Sequence, residues 1–110
     1  RGKVIENEVA LELQRRKAKE NLFEVYYWKD YQQNEVDFVM KRDKKIESLI
    51  QISYINSKEE IREREINALL KASKELRCKN LIVITWDYET EEKFEGKNIK
   101  FIPLWKWLLE

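Results

Sequence analysis

Asp37 sits inside the apolar run formed by Val36, Phe38, Val39 and Met40. A bare charge there is costly and needs a partner, a metal ion or partial access to water. Glu6 lies four residues before Ala10 and seven before Leu13 in a helical pattern, on the edge of that helix turned toward a sheet. If residues 46–55 alternate as a strand, Gln51 and Ser53 share one face, opposite Ile50, Ile52 and Tyr54. Two inward carboxylates beside a polar pair make an oxygen-lined pocket suited to Mg²⁺ or Mn²⁺. A structural reading stands beside this one: Glu6 can cap or pair with an arginine, and Asp37 can hold a loop backbone. Glu65, between Ile61 and Leu69, is a further candidate, with a pair to Arg62 or an interhelix bridge as its structural alternative.

The remaining residue types narrow the chemistry. The 110 residues include no histidine, which excludes Ser-His-Asp and Cys-His catalysis, a histidine-bearing zinc site and a histidine pH switch within this chain. The single Cys78 rules out an internal disulfide and reads as a buried, inert thiol, in keeping with a reducing cytoplasmic location. Lys and Arg number 22 against 21 acidic residues, a formal charge of +1, so any attraction for nucleic acid must be local. Lys41, Arg42, Lys44 and Lys45, and likewise Arg15, Arg16, Lys17 and Lys19, offer such local patches, though charged turns and solvated helix ends look the same. Trp105 and Trp107 can stack on bases or plug the core.

The elements that must position these groups follow from periodicity. Ile5, Val9 and Leu13 mark an amphipathic helix from Lys3 to about Lys19, with Glu8, Glu12, Arg15 and Arg16 outside and a Glu12 to Arg16 pair along it. Residues 23–28, 35–40 and 46–55 read as an antiparallel meander. On the second of these strands, alternation places Glu35, Asp37 and Val39 on one face and Val36, Phe38 and Met40 on the other. Residues 57–77 return to helical spacing, Ser57 and Glu60 forming a capping-box pattern. Residues 81–84 are apolar on both faces and predict a covered, parallel central strand. Asp87 to Gly96 reads as an acidic loop, residues 98–102 as a fifth strand, and Pro103 opens a last helical turn. The order αβββαββα predicts an α/β domain: a mixed sheet of about five strands flanked by helices, spanning residues 1–110 as one unit. No apolar run reaches the roughly 20 residues that a membrane span needs. No phosphate loop or glycine-rich dinucleotide motif occurs, so this stretch holds no recognised nucleotide site.

Gly2 to Asn7 with residues 9–13, then Val25-Tyr26-Tyr27-Trp28, Glu35-Val36-Asp37-Phe38-Val39 and Leu49-Ile50-Gln51-Ile52-Ser53, resemble the C-terminal domain of prokaryotic, largely archaeal, AAA-type ATPases. That domain is similar to the PD-(D/E)XK nuclease fold of Holliday-junction resolvases and restriction endonucleases. The resemblance implies a fragment of a longer ATPase whose ATP site lies elsewhere, with its N-terminal ATPase domain, DNA and further copies of itself as partners. It implies that Glu6 and Asp37 match the helix and strand carboxylates of a Mg²⁺-dependent phosphodiesterase, and that Gln51 and Ser53 stand where the fold carries Glu-x-Lys. Gln51 offers a neutral carbonyl in place of a charge, and Ser53 supplies no cation to offset phosphorane charge. The degenerate set Glu6, Asp37, Gln51 and Ser53 therefore predicts an accessory domain that binds DNA or a partner. The alternatives are an active nuclease with metal on Glu6, Asp37 and Gln51 and a displaced lysine (Lys3, Lys41 or Lys71), and an interaction or oligomerisation module built on Tyr26, Trp28, Trp105 and Trp107.

Overall fold

Ile5, Val9 and Leu13 line one side of α1 (Val4–Lys19), where all three are buried. Arg16, Lys17 and Lys19 fill its last turn, where cations complement the helix dipole. The structure, a computed structural model, describes residues 4–21 and 23–110. After α1 come β1 (Phe23–Lys29), β2 (Glu35–Arg42) and β3 (Lys45–Ser53), then a 3₁₀ turn (Lys58–Glu60) and α2 (Glu63–Leu76). β4 (Leu81–Thr85), β5 (Thr90–Phe94), β6 (Lys97–Pro103) and α3 (Leu104–Leu108) complete the chain.

The six strands form one mixed sheet in the order β1-β2-β3-β4-β6-β5. β3, β4 and β6 run parallel at its centre, and both edges are antiparallel. Every residue of β4 is buried, as the apolar run at 81–84 predicts. Helices cover both faces. On one, α2 closes over Val36, Val39, Leu49, Val83 and Phe101; on the other, α1 and α3 close over Met40, Ile50, Ile52, Ile84 and Ile102. Trp107 is buried in this second layer with the Arg16 guanidinium 4.6 Å from its ring centre, and Arg16 also bonds to Glu12, which ties α1 to α3.

The structure departs from the sequence reading at β5, at the start of α2, at Glu12 and in the alternation of β2. The acidic loop expected over 87–96 contains β5, whose Thr90, Glu92 and Phe94 turn partly inward while Glu91 and Lys93 stay in water. Glu95 (φ 50°) and Gly96 (φ 82°) make the tight two-residue turn that pairs it with β6. The single helix expected over 57–77 is broken at Ile61–Arg62, and Ser57 makes no side-chain cap; instead the Asn56 N–H donates to Glu60 Oε1 at 2.6 Å. Glu12, expected outside, is buried because Arg15 and Arg16 close over its carboxylate at 2.6 and 2.7 Å. The Glu12 to Arg16 pair itself is present.

Candidate functional site

The three parallel strands β3, β4 and β6 end on the same side of the molecule, the place where open α/β sheets carry their ligands. β2 begins there, and α2 starts above it. The first turn of α1 is fixed to the same end by the Ile5 N–H, which donates to the Tyr54 hydroxyl at 3.1 Å. Asp37, Gln51 and Glu65 line one cleft at this end, the β2–β3 mouth; Ser53 lies two residues beyond Gln51 on β3, and Glu6 stands at the same end on α1, which packs on the other face of the sheet.

A β-bulge shapes this mouth. Tyr26 pairs with Val39 and Trp28 with Val36, so three steps along β2 face two along β1 and an extra residue is accommodated at Asp37–Phe38. The bulge overturns the simple alternation expected for β2. Val36 and Val39 both pack toward α2, whereas Phe38 and Met40 pack toward α1. Ladder pairing of β2 with β3 begins only at Phe38 and Ile50. Beyond that point side chains replace the ladder: the Ile52 N–H donates to Asp37 Oδ2 at 2.7 Å, and the Asp37 N–H donates to Gln51 Oε1 at 2.9 Å. Gln51 Nε2 donates to the Glu35 carbonyl at 2.9 Å and to the Glu65 carbonyl at 3.2 Å. Gln51 thus joins β2, β3 and α2 through three main-chain groups.

The mouth is electrostatically loaded. Burial is the main cause that pushes Asp37 up to about 6; the Ile52 N–H opposes it, and the carboxylates of Glu6, Glu65 and Glu35 add to it. Burial also raises Glu65, against the opposing influence of the Ser53 hydroxyl and Arg62. Asp37, Gln51 and Glu65 line a cleft of about 220 Å³ together with Gln33, Glu35, Arg62, Arg64 and Ala68. Sequence reasoning missed Gln33 and Arg64 at the rim, whereas Arg62, expected beside Glu65, is there and acts to lower its carboxyl; the break before α2 that sets Arg62 and Arg64 has a weak signal, a lone Ile61 between charged residues.

Several of these polar groups are engaged with the main chain. Gln51 holds an N–H with its carbonyl, Asp37 holds another with Oδ2, and among the described residues no three acidic, Cys or His side chains converge as ligands. Of the lysines considered as displaced cations, Lys3 lies outside the described residues. Lys71 Nζ donates to Gln32 Oε1 at 2.7 Å. Lys41 lies 5.9 Å from the Tyr26 ring centre, four residues along β2 from Asp37.

The basic residues proposed for nucleic acid stand at the opposite end of the β2–β3 hairpin from Asp37, about five residues or roughly 16 Å away along the strand. There Arg42 is held by Glu20 and by Glu47, while Lys44 and Lys45 are exposed with no acidic partner within 4.0 Å among the described residues. The aromatic candidates divide: Trp28 and Trp107 are core, and Tyr26 and Trp105 are exposed. The buried Trp28 Nε1 donates to Glu75 at 3.0 Å. Cys78 is buried, as expected.

A family model described as a domain of unknown function, DUF4143, matches residues 1–107. The chain belongs to this family. It is also 41% identical, over 99% of its length, to an uncharacterized protein of the archaeon Methanocaldococcus jannaschii, and it spans about a quarter of that protein. No solved structure matches the chain significantly. No helix among the described residues is long and apolar enough to cross a membrane.

Proposed function

We propose that this DUF4143 chain is a nuclease-like accessory domain of an AAA-type ATPase, one that binds a partner at its β2–β3 mouth and does not cut nucleic acid. Domains of this family are often the C-terminal part of AAA-ATPase-type proteins, which supports the attachment. The observation that carries the absence of cleavage is the engagement of Gln51. Its amide is committed to three main-chain groups, so the third ligand position of a hydrolytic metal site is occupied by structure. Ser53 adds no positive charge to offset a developing phosphorane. The reading is tested by calorimetric titration of Mn²⁺ into the chain and into Glu6→Gln and Asp37→Asn, beside cleavage assays on branched and single-stranded DNA. Weak or absent Mn²⁺ binding and no cleavage are expected. Metal-dependent cleavage lost in Asp37→Asn would overturn the reading in favour of an active nuclease with a displaced lysine.

A second reading rests on Lys44 and Lys45, exposed at the β2–β3 turn with no acidic partner within 4.0 Å among the described residues: contact with a nucleic-acid backbone at that end. It predicts an affinity that falls steeply with salt and drops in the double variant Lys44→Gln, Lys45→Gln. Salt-independent binding, or none, would remove it.

A further inference from the structure

From the charge gathered at the end of the sheet opposite the mouth, we infer that the last turn of α1, the β2–β3 turn and the α2–β4 turn form one surface that grips the phosphate backbone of a nucleic-acid duplex without reading its sequence. The inference rests on reading Lys44 and Lys45 as backbone contacts, and it gives that contact its extent and its ligand.

The formal charge of +1 hides a steep asymmetry. Residues 15–20, 41–47 and 74–80 hold eleven of the 22 cations and four of the 21 acidic residues, so this end carries +7 and the rest of the chain −6. The three segments meet in space. Arg42 bonds to Glu20 just after α1 and to Glu47 on β3, and Asn80, just before β4, donates from Nδ2 to the Glu47 carbonyl at 3.3 Å. The Leu49 N–H donates to the Asn80 carbonyl at 3.0 Å. Within the patch Lys17, Lys19, Lys44, Lys45, Arg77 and Lys79 are exposed, and none has an acidic partner within 4.0 Å among the described residues. Cations near helix C-termini also complement the dipole, yet the ends of α1 and α2 together present only about one unit of negative charge. Arg77 adds an independent observation. It caps α2 at φ 55°, the left-handed position where glycine is unstrained, so the fold itself asks for no side chain there.

The residue types select the ligand. The three segments contain no aromatic residue, and Phe23 and Trp107, which line the cavity of about 470 Å³ between α1 and the hairpin, are 2% and 3% exposed. A single strand is held by bases stacked on aromatic side chains, so this end offers it no platform. Long lysine side chains contact phosphates and carry no sequence information, and the helices present C-termini here in place of the N-termini that hold phosphate through main-chain N–H groups. A duplex suits such a surface, because it carries one charge per about 1.7 Å of axis, about twice the density of one strand. α1 and α2 lie on opposite faces of the sheet, so their last turns stand about 20 Å apart, the length of about six base pairs, with Lys44 and Lys45 between them.

The test is fluorescence anisotropy of labelled DNA and RNA duplexes of about 20 base pairs, beside single-stranded DNA of the same length and polyglutamate, in KCl from about 50 to about 200 mM. A Kd on the order of 10⁻⁵ M is expected for a duplex of any sequence, and four to six phosphate contacts should make the affinity fall about 10²–10³-fold across that range of salt. Whichever duplex binds more tightly names the source, and either supports the inference. Lys17→Gln with Lys19→Gln, on one face, and Arg77→Gly with Lys79→Gln, on the other, should each weaken binding about tenfold and reduce the salt slope by about two. Because Arg77→Gly relieves the backbone, the second pair should unfold at higher urea while binding less, a split that loss of structure does not produce. Lys29→Gln, at the opposite end of the sheet, should change neither affinity nor slope. Single-stranded DNA or polyglutamate bound as tightly as a duplex would overturn the inference, the latter in favour of an acidic protein partner. If only Lys44→Gln with Lys45→Gln weakens binding, the extended surface is overturned and the contact at the turn survives; if no duplex binds, both fall.

Discussion

Replacing Asp37 by Asn should stabilise the protein at neutral and mildly alkaline pH and leave it unchanged in acid. In the folded chain the Asp37 carboxyl is raised from 3.8 to about 6, because burial and the neighbouring carboxylates of Glu6, Glu65 and Glu35 oppose its charge more than the Ile52 N–H supports it. A carboxyl raised on folding contributes no penalty while it is protonated in both states. As pH climbs from about 4 to about 6 the unfolded chain gives up its proton first, and stability falls; above about 6 the loss is complete. Each pKa unit corresponds to about 1.4 kcal/mol, so the full effect is about 3 kcal/mol, and solvent reaching the half-buried group reduces it to roughly 1–3 kcal/mol. Asn is nearly the shape of the protonated acid, and its Oδ1 still accepts from Ile52. The Asp37→Asn chain should therefore match the parent near pH 4 and exceed it at pH 8. Urea unfolding at the two pH values measures the difference directly, and thermal midpoints at pH 8 should separate by on the order of 10 °C. A variant less stable than the parent at pH 8, or a difference independent of pH, would refute the reasoning and show that the carboxylate is well stabilised where it stands.

The other expectations are more local. Gln51→Leu leaves the Asp37 N–H and the carbonyls of Glu35 and Glu65 without their side-chain partner and should cost about 2–4 kcal/mol in urea unfolding; a loss below about 0.5 kcal/mol would mean that water replaces the amide. Trp107→Ala should cost about 3–5 kcal/mol and selectively accelerate amide exchange in α1 and α3, since it removes both core volume and the surface on which Arg16 lies. The Glu12 carboxyl is held below its ordinary value, first by its hydrogen bond from Arg15, so the stability margin over Glu12→Gln should be present at neutral pH and disappear as pH falls through the lowered value; a margin that persists in acid would refute it. Gly96→Ala should cost about 1 kcal/mol through backbone strain alone, because φ is 82° and no atom crowds the site of the new methyl; an unchanged midpoint would contradict this.

What could be read in advance, and what could not, divides along a physical line. Periodicity records which faces are buried, and burial decides the helices and most strands: Ile5, Val9 and Leu13 point inward as their spacing requires, and the doubly apolar run at 81–84 is the covered central strand. β5 escaped because its outward face is charged and its inward face only half-buried, leaving almost no hydrophobic period; its signal lay in the Glu95–Gly96 turn. The residue types of the mouth were also legible. Gln51 and Ser53 share a face of β3, and Asp37, Gln51 and Glu65 line one cleft, because alternation on β3 and helical spacing on α2 are local rules. Their bonding was not legible. Whether Asp37 and Gln51 point at a ligand or at the main chain depends on a single extra residue in β2, and a bulge is a property of the pairing of two strands that neither strand carries alone. That one residue rotates Val39 onto the face of Val36, opens the end of the β2–β3 ladder, and turns the two polar side chains into substitutes for the missing ladder bonds. The same polar residues that resemble a reactive centre by type therefore hold strand ends by geometry.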